Sequence, residues 1–423
     1  MKEVRTLRAY ADVALGRQRS PQHDQGPHMV PYLRAANVKD GRLDLSDVKE
    51  MNFTPGEQNN FALQAGDVLV TEGSGSLSAV GAASVWNDEV QGTVCFQNTL
   101  LRLRPKPATD PGFLSWWCRH AFGDGLFASI ATGANIFHVS AERVRSLPMA
   151  YIELAEQRAI ADYLDAETAR IDALIAKKQQ LIRLLEERIE AAVFSGVTGR
   201  LTSAHSKVRA SGIDWIGDIP VGYGTPTIGA NFSTQLGKML NAEAAAGDHQ
   251  HRYIKNTNVQ WDRFKLDDLP TMTFDALDRQ RCELAAGDLM VCEGGEVGRA
   301  AIWEGADADV YFQKALHRVR PFLSANSRFL MYCLWAAANL DVFRVEGNQA
   351  TIVHLTGEQL REHRFPWPPS DEQDEIVKLI DVTRKRLDLL CTTTTRQIEL
   401  LTERRQALIT AAVTGEFAVP GAA

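Results

Sequence analysis

The chain has 423 residues, 45% hydrophobic and 23% charged, with a formal net charge of −7. That is the balance of a globular protein too long for one ordinary core, and the negative charge counts mildly against a wholly phosphate-binding surface. No apolar run reaches the roughly 18 residues of a membrane span, and Met1-Lys2-Glu3-Val4-Arg5 lacks the apolar stretch of a signal peptide, so a cytoplasmic location is expected.

The first segment gathers Arg5, Arg8, Arg17, Arg19, His23, His28 and Arg34 with few acids between them. Up to about residue 150, short β-rich runs alternate with Gly, Asn and Asp punctuation. Asp67-Val68-Leu69-Val70-Thr71 and Thr99-Leu100-Leu101-Arg102-Leu103 read as strands, and Phe113 to His120 reads as a helix. This alternation predicts a compact α/β (α+β) domain. From Leu154 the pattern changes. Ile160, Leu164, Ile171, Leu174, Leu181, Leu185 and Ile189 recur at intervals of three, four or seven among Glu, Lys, Arg and Gln. This is one long amphipathic helix, a rod of roughly 60 Å. Gly196 and Gly199 close it, and a polar, Gly/Pro-marked connector follows at 200–226.

The second half repeats this order. Asp288 to Cys292 and His317 to Pro321 read as strands, with a helix from Phe329 to Trp335. A second long helix starts at Pro368-Pro369-Ser370-Asp371-Glu372-Gln373, where Ser370 and Gln373 have capping-box spacing. Its apolar seam runs through Ile376, Ile380, Leu387, Leu390, Leu401 and Ile409. The expected organisation is a module at 1–152, a long helix at 153–199, the connector at 200–226, a module at 227–368 and a long helix at 369–415. Neither helix buries its stripe alone, so the two are expected to pair as an antiparallel coiled coil.

The two halves match residue by residue. Leu15-Gly16-Arg17 returns as Leu236-Gly237-Lys238, Tyr32 to Val38 as Tyr253 to Val259, and Gly66-Asp67-Val68 as Gly287-Asp288-Leu289. Phe96-Gln97 returns as Phe312-Gln313 and His138 as His354. Glu156-Gln157 returns as Glu372-Gln373, and Val197-Thr198-Gly199 as Val413-Thr414-Gly415. Two copies of one module suit a binding device better than a single catalytic cleft. The fragments that look catalytic lack their partners. Gly73-Ser74-Gly75 is followed by no Gly-Lys-Ser/Thr, and Trp367-Pro368-Pro369-Ser370 lacks the Asn or Asp of an amino-methyltransferase motif. The six cysteines form no CxxC pair or zinc spacing, which fits free thiols in a reducing compartment. The residues point to a chain that catalyses nothing itself and binds no metal.

In this order and twice over, the Tyr-x-x-x-x-Asn-Val segments, the Gly-Asp-Val/Leu turns, the Glu-Gln helix starts and the closing Val-Thr-Gly resemble the specificity subunit of Type I restriction–modification systems. Gly212 to Pro220, entering the second module, is also similar. The resemblance implies two DNA target-recognition domains, each reading one half of a split site, with helices that set the spacer and dock two methylation subunits. It also implies an adenine-N6 methyltransferase on those partners and, where restriction subunits join, an ATP-dependent endonuclease. S-adenosylmethionine, ATP and Mg are then expected on partner subunits and none on this chain. The alternative is a coiled-coil scaffold with two protein-binding ends. Base reading needs Arg on guanine and Asn or Gln on adenine, with phosphate contacts for register. In the first module this selects Arg17, Arg34, Ser74, Ser76, Gln97, Asn98, Asn135 and His138. In the second it selects Lys238, Lys255, Asn256, Arg299, Gln313, Lys314, Asn348, Gln349 and His354.

Overall fold

The run Val68–Thr71 is buried along its whole length, and its alternation sets the architecture of the first half. Successive side chains point to opposite faces of a strand. Val68 and Val70 enter one apolar core and Leu69 another. A strand buried on both faces needs layers on each side. The computed structural model, which describes residues 3–201, 207–247, 250–305, 309–322, 325–345 and 354–420, supplies them. The chain divides into one unit of Met1–Gln179 with Thr395–Ala423 and a second of Gln180–Thr394.

In the first unit, Ala11–Leu15, Leu100–Pro105, Val68–Thr71 and Ala83–Val85 form, in that order, a four-stranded antiparallel sheet. A second sheet orders Cys95–Phe96, Met29–Leu33 and Lys49–Asn52, the first pair parallel and the second antiparallel. The helix Pro111–Gly123, capped by the Asp110 carboxylate, packs Phe113, Leu114 and Trp117 on the side of Val68 and Val70. The same core takes in Ile160 and Leu164 of the first long helix with Ile409, Ala412 and Val413 of the second.

The second unit repeats this topology. Phe232–Leu236, Leu316–Pro321, Leu289–Cys292 and Ala300–Ile302 form the four-stranded sheet, and Thr271–Thr273, Gln250–Ile254 and Val310–Phe312 the three-stranded one. The antiparallel and parallel pairings of the smaller sheet recur too. Leu289 and Val291 enter one core and Met290 and Cys292 the other. The helix Ser327–Asn339 covers the sheet as its counterpart does.

The shared motifs are devices of this scaffold. The Asp of each Gly-Asp-Val/Leu turn is buried and holds an arginine on the neighbouring strand with two bonds. Arg104 donates to Asp67 at 2.8 and 2.7 Å, and Arg320 to Asp288 at 2.7 and 2.8 Å. Such forked pairs combine strength with fixed geometry. The Asn of each Tyr-x-x-x-x-Asn-Val segment is buried too. Asn37 donates to the Asp44 carbonyl and Asn258 to the Lys265 carbonyl, both at 2.8 Å.

The long helices span Leu154–Val197 and Ser370–Thr414, close to the expected 153–199 and 369–415. In the first unit, Asp172 pairs with Arg405 at 2.9 Å and Lys178 donates to Gln397 at 2.6 Å. One helix's numbers rise as the other's fall, so these stretches run antiparallel. In the second unit, Ile189, Val193 and Val197 share a core with Ile376, Val377, Ile380 and Leu387. Of the expected seam, Ile160, Leu164, Ile171, Leu185, Ile376, Ile380 and Leu387 are buried, and Leu401 is half-buried.

Leu174, Leu181 and Leu390 are not in the seam; they are 42, 44 and 45% exposed. The covered stripe runs instead through Ile171, Ile175, Lys178, Ile182, Leu185 and Ile189 on one helix, and Leu387, Cys391, Thr394, Ile398, Leu401 and Arg405 on the other. Both alternate steps of four and three, the coiled-coil repeat. At each of the three misplaced leucines the neighbouring residue, also apolar, is half-buried and takes the covered position. Two further expectations change. Gln373 donates to the Pro368 carbonyl at 2.8 Å instead of closing a reciprocal box with Ser370. The second part of the connector is a hairpin, Val208–Ala210 with Asp218–Pro220, and Ile216, Ile219 and Tyr223 are buried in the second unit's core.

Candidate functional site

In the first unit, the loops at the ends of the central strands bring most of the candidate residues together. Thr99 is the node. Its hydroxyl accepts from the Ala35 amide at 3.0 Å, and its carbonyl accepts from the Glu72 amide at 2.9 Å. Phe137–His138 then pairs with Gly73–Ser74, and the His138 ring meets the Glu72 carboxylate at 3.0 Å. Gly133, at φ +125°, allows a turn so tight that an added Cβ would lie 1.9 Å from the Ile136 carbonyl. This turn holds Asn135 and Ile136 exposed. Ser76 and His138 are exposed, while Ser74, Gln97 and Asn98 are half-buried.

The two arginines are committed inside the unit. Arg17 is buried, pairs with Glu57 at 2.9 Å, donates to the Asn52 carbonyl and lies over the Phe53 ring at 4.8 Å. Burial raises the Glu57 carboxyl, but the Thr54 hydrogen bonds and the Arg17 charge bring it below its ordinary range. Arg34 pairs with Asp47.

The second unit assembles the corresponding loops with different chemistry. Asn256 donates to the Gly294 carbonyl at 2.7 Å, and Arg299 donates to the Asn256 side-chain oxygen at 2.8 Å while pairing with Glu296 at 3.0 Å. The Glu293 amide donates to Ala315 and the Leu355 amide to Glu293, which brings the 293–299, 313–315 and 354–355 segments together. Lys238 pairs with Asp278. Lys314 and His354 are exposed, and Lys255 and Gln313 half-buried. Asn348 and Gln349 lie outside the described residues. Next to this cluster, His317 is buried with Nε2 at 2.9 Å from the Leu355 carbonyl. A carbonyl only accepts, so the proton sits on Nε2. Burial holds the ring's pKa below its ordinary value.

The Leu-Gly-Arg/Lys motif is now explained. A Cβ on Gly16 would lie 2.2 Å from the Gln97 carbonyl, and one on Gly237 lies 2.3 Å from that of Gln313. The following cation is held by an acid at the corresponding place in each copy, Glu57 for Arg17 and Asp278 for Lys238. These acids, with Thr99 and Glu72, are parts of the site that sequence reasoning missed. Their signal was present, since Glu57 and Asp278 stand at the offset that relates Arg17 to Lys238. The scaffolding positions are shared, and so is the exposed histidine, His138 in one unit and His354 in the other. Other positions differ: Ser76 has buried Val297 at the matching place, and half-buried Asn98 has exposed Lys314.

Residues 237–400 match the family model of the Type I restriction modification DNA specificity domain. The chain is 26% identical over 177 residues to the Type I restriction enzyme StySPI specificity subunit of Salmonella potsdam, and 26% over 175 residues to the EcoKI specificity subunit of Escherichia coli K12. Each match covers 41% of this chain and 37% of the relative, so the chain spans little more than a third of the length of these relatives. Among solved structures, a chain from a type I R-M system, described for its complex assembly and conformational transition, aligns with TM-score 0.75 and 16% identity over 98% of both chains. The HsdS subunit from Thermoanaerobacter tengcongensis aligns with TM-score 0.58 and 17% identity, covering 98% of this chain and 97% of that one. The chain therefore carries a Type I restriction modification DNA specificity domain in residues 237–400, has the fold of HsdS subunits, and is similar to the DNA specificity subunits of type I restriction–modification systems.

Proposed function

We propose that the chain is the subunit that selects the DNA sequence for a type I restriction–modification complex, with each unit reading one half of a split site. The observation that carries this reading is the pairing of one scaffold with two chemistries. The strand order, the buried Asp–Arg fork and the Gly-on-Gln packing are common to both units. Apart from His138 and His354, the exposed residues at the loop cluster are not: Ser76 in the first unit has Val297 at the matching place of the second, and Lys314 in the second has Asn98 at that of the first. Phosphate contacts position a protein on DNA, while base-edge contacts carry the sequence, so a fixed frame with variable loops suits two different half-sites.

In this reading the chain supplies no chemistry. Two methylation subunits carry out adenine-N6 methylation with S-adenosylmethionine. Restriction subunits, where present, add ATP- and Mg-dependent cleavage. The polypeptide passes between the two units inside the long helices, at 179/180 and at 394/395, so the helices are suited to setting the spacer. The test is selection from a random duplex pool by the complex of this chain with its methylation subunits. Enrichment of a split motif with a fixed gap is the expected result. Enrichment of a continuous motif, or of none, refutes the proposal and favours a protein-binding scaffold.

A further inference from the structure

In each unit a short helix that covers the sheet is tied to a long helix at two points. In the first unit, Gln157 accepts from the Asp110 amide at 2.8 Å, where the short helix starts, and the Trp116 indole donates to Asp165 at 2.8 Å. In the second unit, Asn326 donates to Asp374 at 2.7 Å, and the Tyr332 hydroxyl donates to Asp381. Trp116 and Tyr332 hold corresponding positions in the repeat, as do Asp165 and Asp381.

The surroundings of this contact have been exchanged while the contact remains. In the first unit Arg119 stacks over Trp116 at 4.1 Å and pairs with Asp40 at 3.3 Å. The second unit has Trp335 and Trp261 at those two places, stacked at 5.2 Å and 17°. There Arg328 joins Asp262 to Asp381, and Arg384 joins Asp262 to the Tyr332 hydroxyl. The donor changes from an indole N–H to a phenol O–H, yet the carboxylate partner stays.

Apolar packing is non-directional and tolerates a roll of one helix on another. A hydrogen bond from a rigid ring is directional. Gln157 and Asp165 are eight residues apart on the long helix, about 12 Å along its axis, and two anchors at that separation define an angle.

We propose that Trp116–Asp165 and Tyr332–Asp381 are positioning pairs that fix the angle of each recognition module on its long-helix segments, and through it the spacer length accepted between half-sites. This rests on the function proposed above. The test uses the complex of the full chain with its methylation subunits, on duplexes carrying both half-sites with the native spacer or one base pair more or less. Asp165→Ala removes an acceptor from an exposed residue and leaves the core packing alone. It is expected to lower the preference for the native spacer about fivefold, the worth of one ordinary hydrogen bond, with both half-site sequences unchanged. Asp165→Asn still accepts the indole N–H and is expected to keep the native ratio. Tyr332→Phe provides the parallel variant in the second unit. A wild-type complex that discriminates spacers, beside an Asp165→Ala complex with the same ratio or a uniform loss at every spacer, overturns the pairs alone. Loss of the ratio in Asp165→Asn as well overturns the hydrogen-bond assignment. A wild-type complex that methylates no split sequence overturns the function on which the pairs depend.

Discussion

Leu164→Ala and Leu174→Ala make the same chemical change on the same helix at two depths of burial, and they test the helix register directly. Leu164 is fully buried where the long helices meet the first unit's sheet core, among Ile160, Ile409, Ala412 and Val413. Truncating a leucine there removes transfer energy and leaves a cavity among groups that cannot collapse, at a cost of about 2–5 kcal/mol. Leu174 is 42% exposed, so its truncation leaves no enclosed cavity. Its burial contribution is a fraction of the 1.5–3 kcal/mol for complete burial, and the better helix propensity of Ala offsets part of that. The expected loss is below about 1 kcal/mol. For a unit of this size each kcal/mol moves the melting temperature by roughly 2–4 °C. Thermal melts followed by circular dichroism should show a drop of roughly 4–20 °C for Leu164→Ala and under about 4 °C for Leu174→Ala. An equal or larger drop for Leu174→Ala would return the seam to the leucine register and refute the stripe through Ile175 and Ile182.

Gly16→Ala drives a methyl into the Gln97 carbonyl, an overpacking worth about 1–3 kcal/mol; methylation should weaken by relaxing one half-site only, and equal relaxation of both would contradict the assignment of one unit to one half-site. Lys314→Ala removes an exposed cation, so DNA affinity of the complex should fall across all sequences and the salt slope by about one; an unchanged slope places Lys314 off the phosphates. Burial lowers the pKa of both His120 and His317, so the folded chain prefers the neutral rings while the unfolded chain takes up protons near the ordinary value of about 6.5. Their contribution to stability is complete above that value and is lost as pH falls below it. The melting temperature should drop between pH 7.5 and 5.5, less so in His317→Gln, and an identical drop in that variant would remove His317 as a source.

Length and punctuation showed the architecture, because each module repeats its turns at one offset and each long helix carries dozens of residues of unbroken periodicity. The register of the seam was not legible. Leu174 and Ile175, Leu181 and Ile182, and Leu390 and Cys391 are adjacent apolar pairs, and hydrophobicity alone cannot rank them. Both stripes fit the 3.5-residue repeat, so the packing of the folded helices, not the periodicity, separates them. The hairpin within 207–226 was hidden because its buried residues, Ile216, Ile219 and Tyr223, are scattered singly among Gly and Pro. At the site, Ser74, Gln97, Asn135 and His138 follow from the chemistry of base and phosphate contacts, and the fold brings their loops together. The commitment of Arg34 and Arg299 to Asp47 and Glu296 was out of reach, since hydrophobicity and spacing do not rank one acid above its neighbours. That of Arg17 and Lys238 to Glu57 and Asp278 was legible only in the 40-residue separation common to both copies. In three of the four the acid lies 13 to 40 residues away in the chain.

The central claim is that this chain chooses where a methylation complex acts. A long-read map of adenine methylation in cells carrying the methylation subunit, with and without this chain, tests it most directly. The account predicts a split motif that appears only when the chain is present. Methylation unchanged by the chain, with the methylation subunit expressed and active, would contradict it.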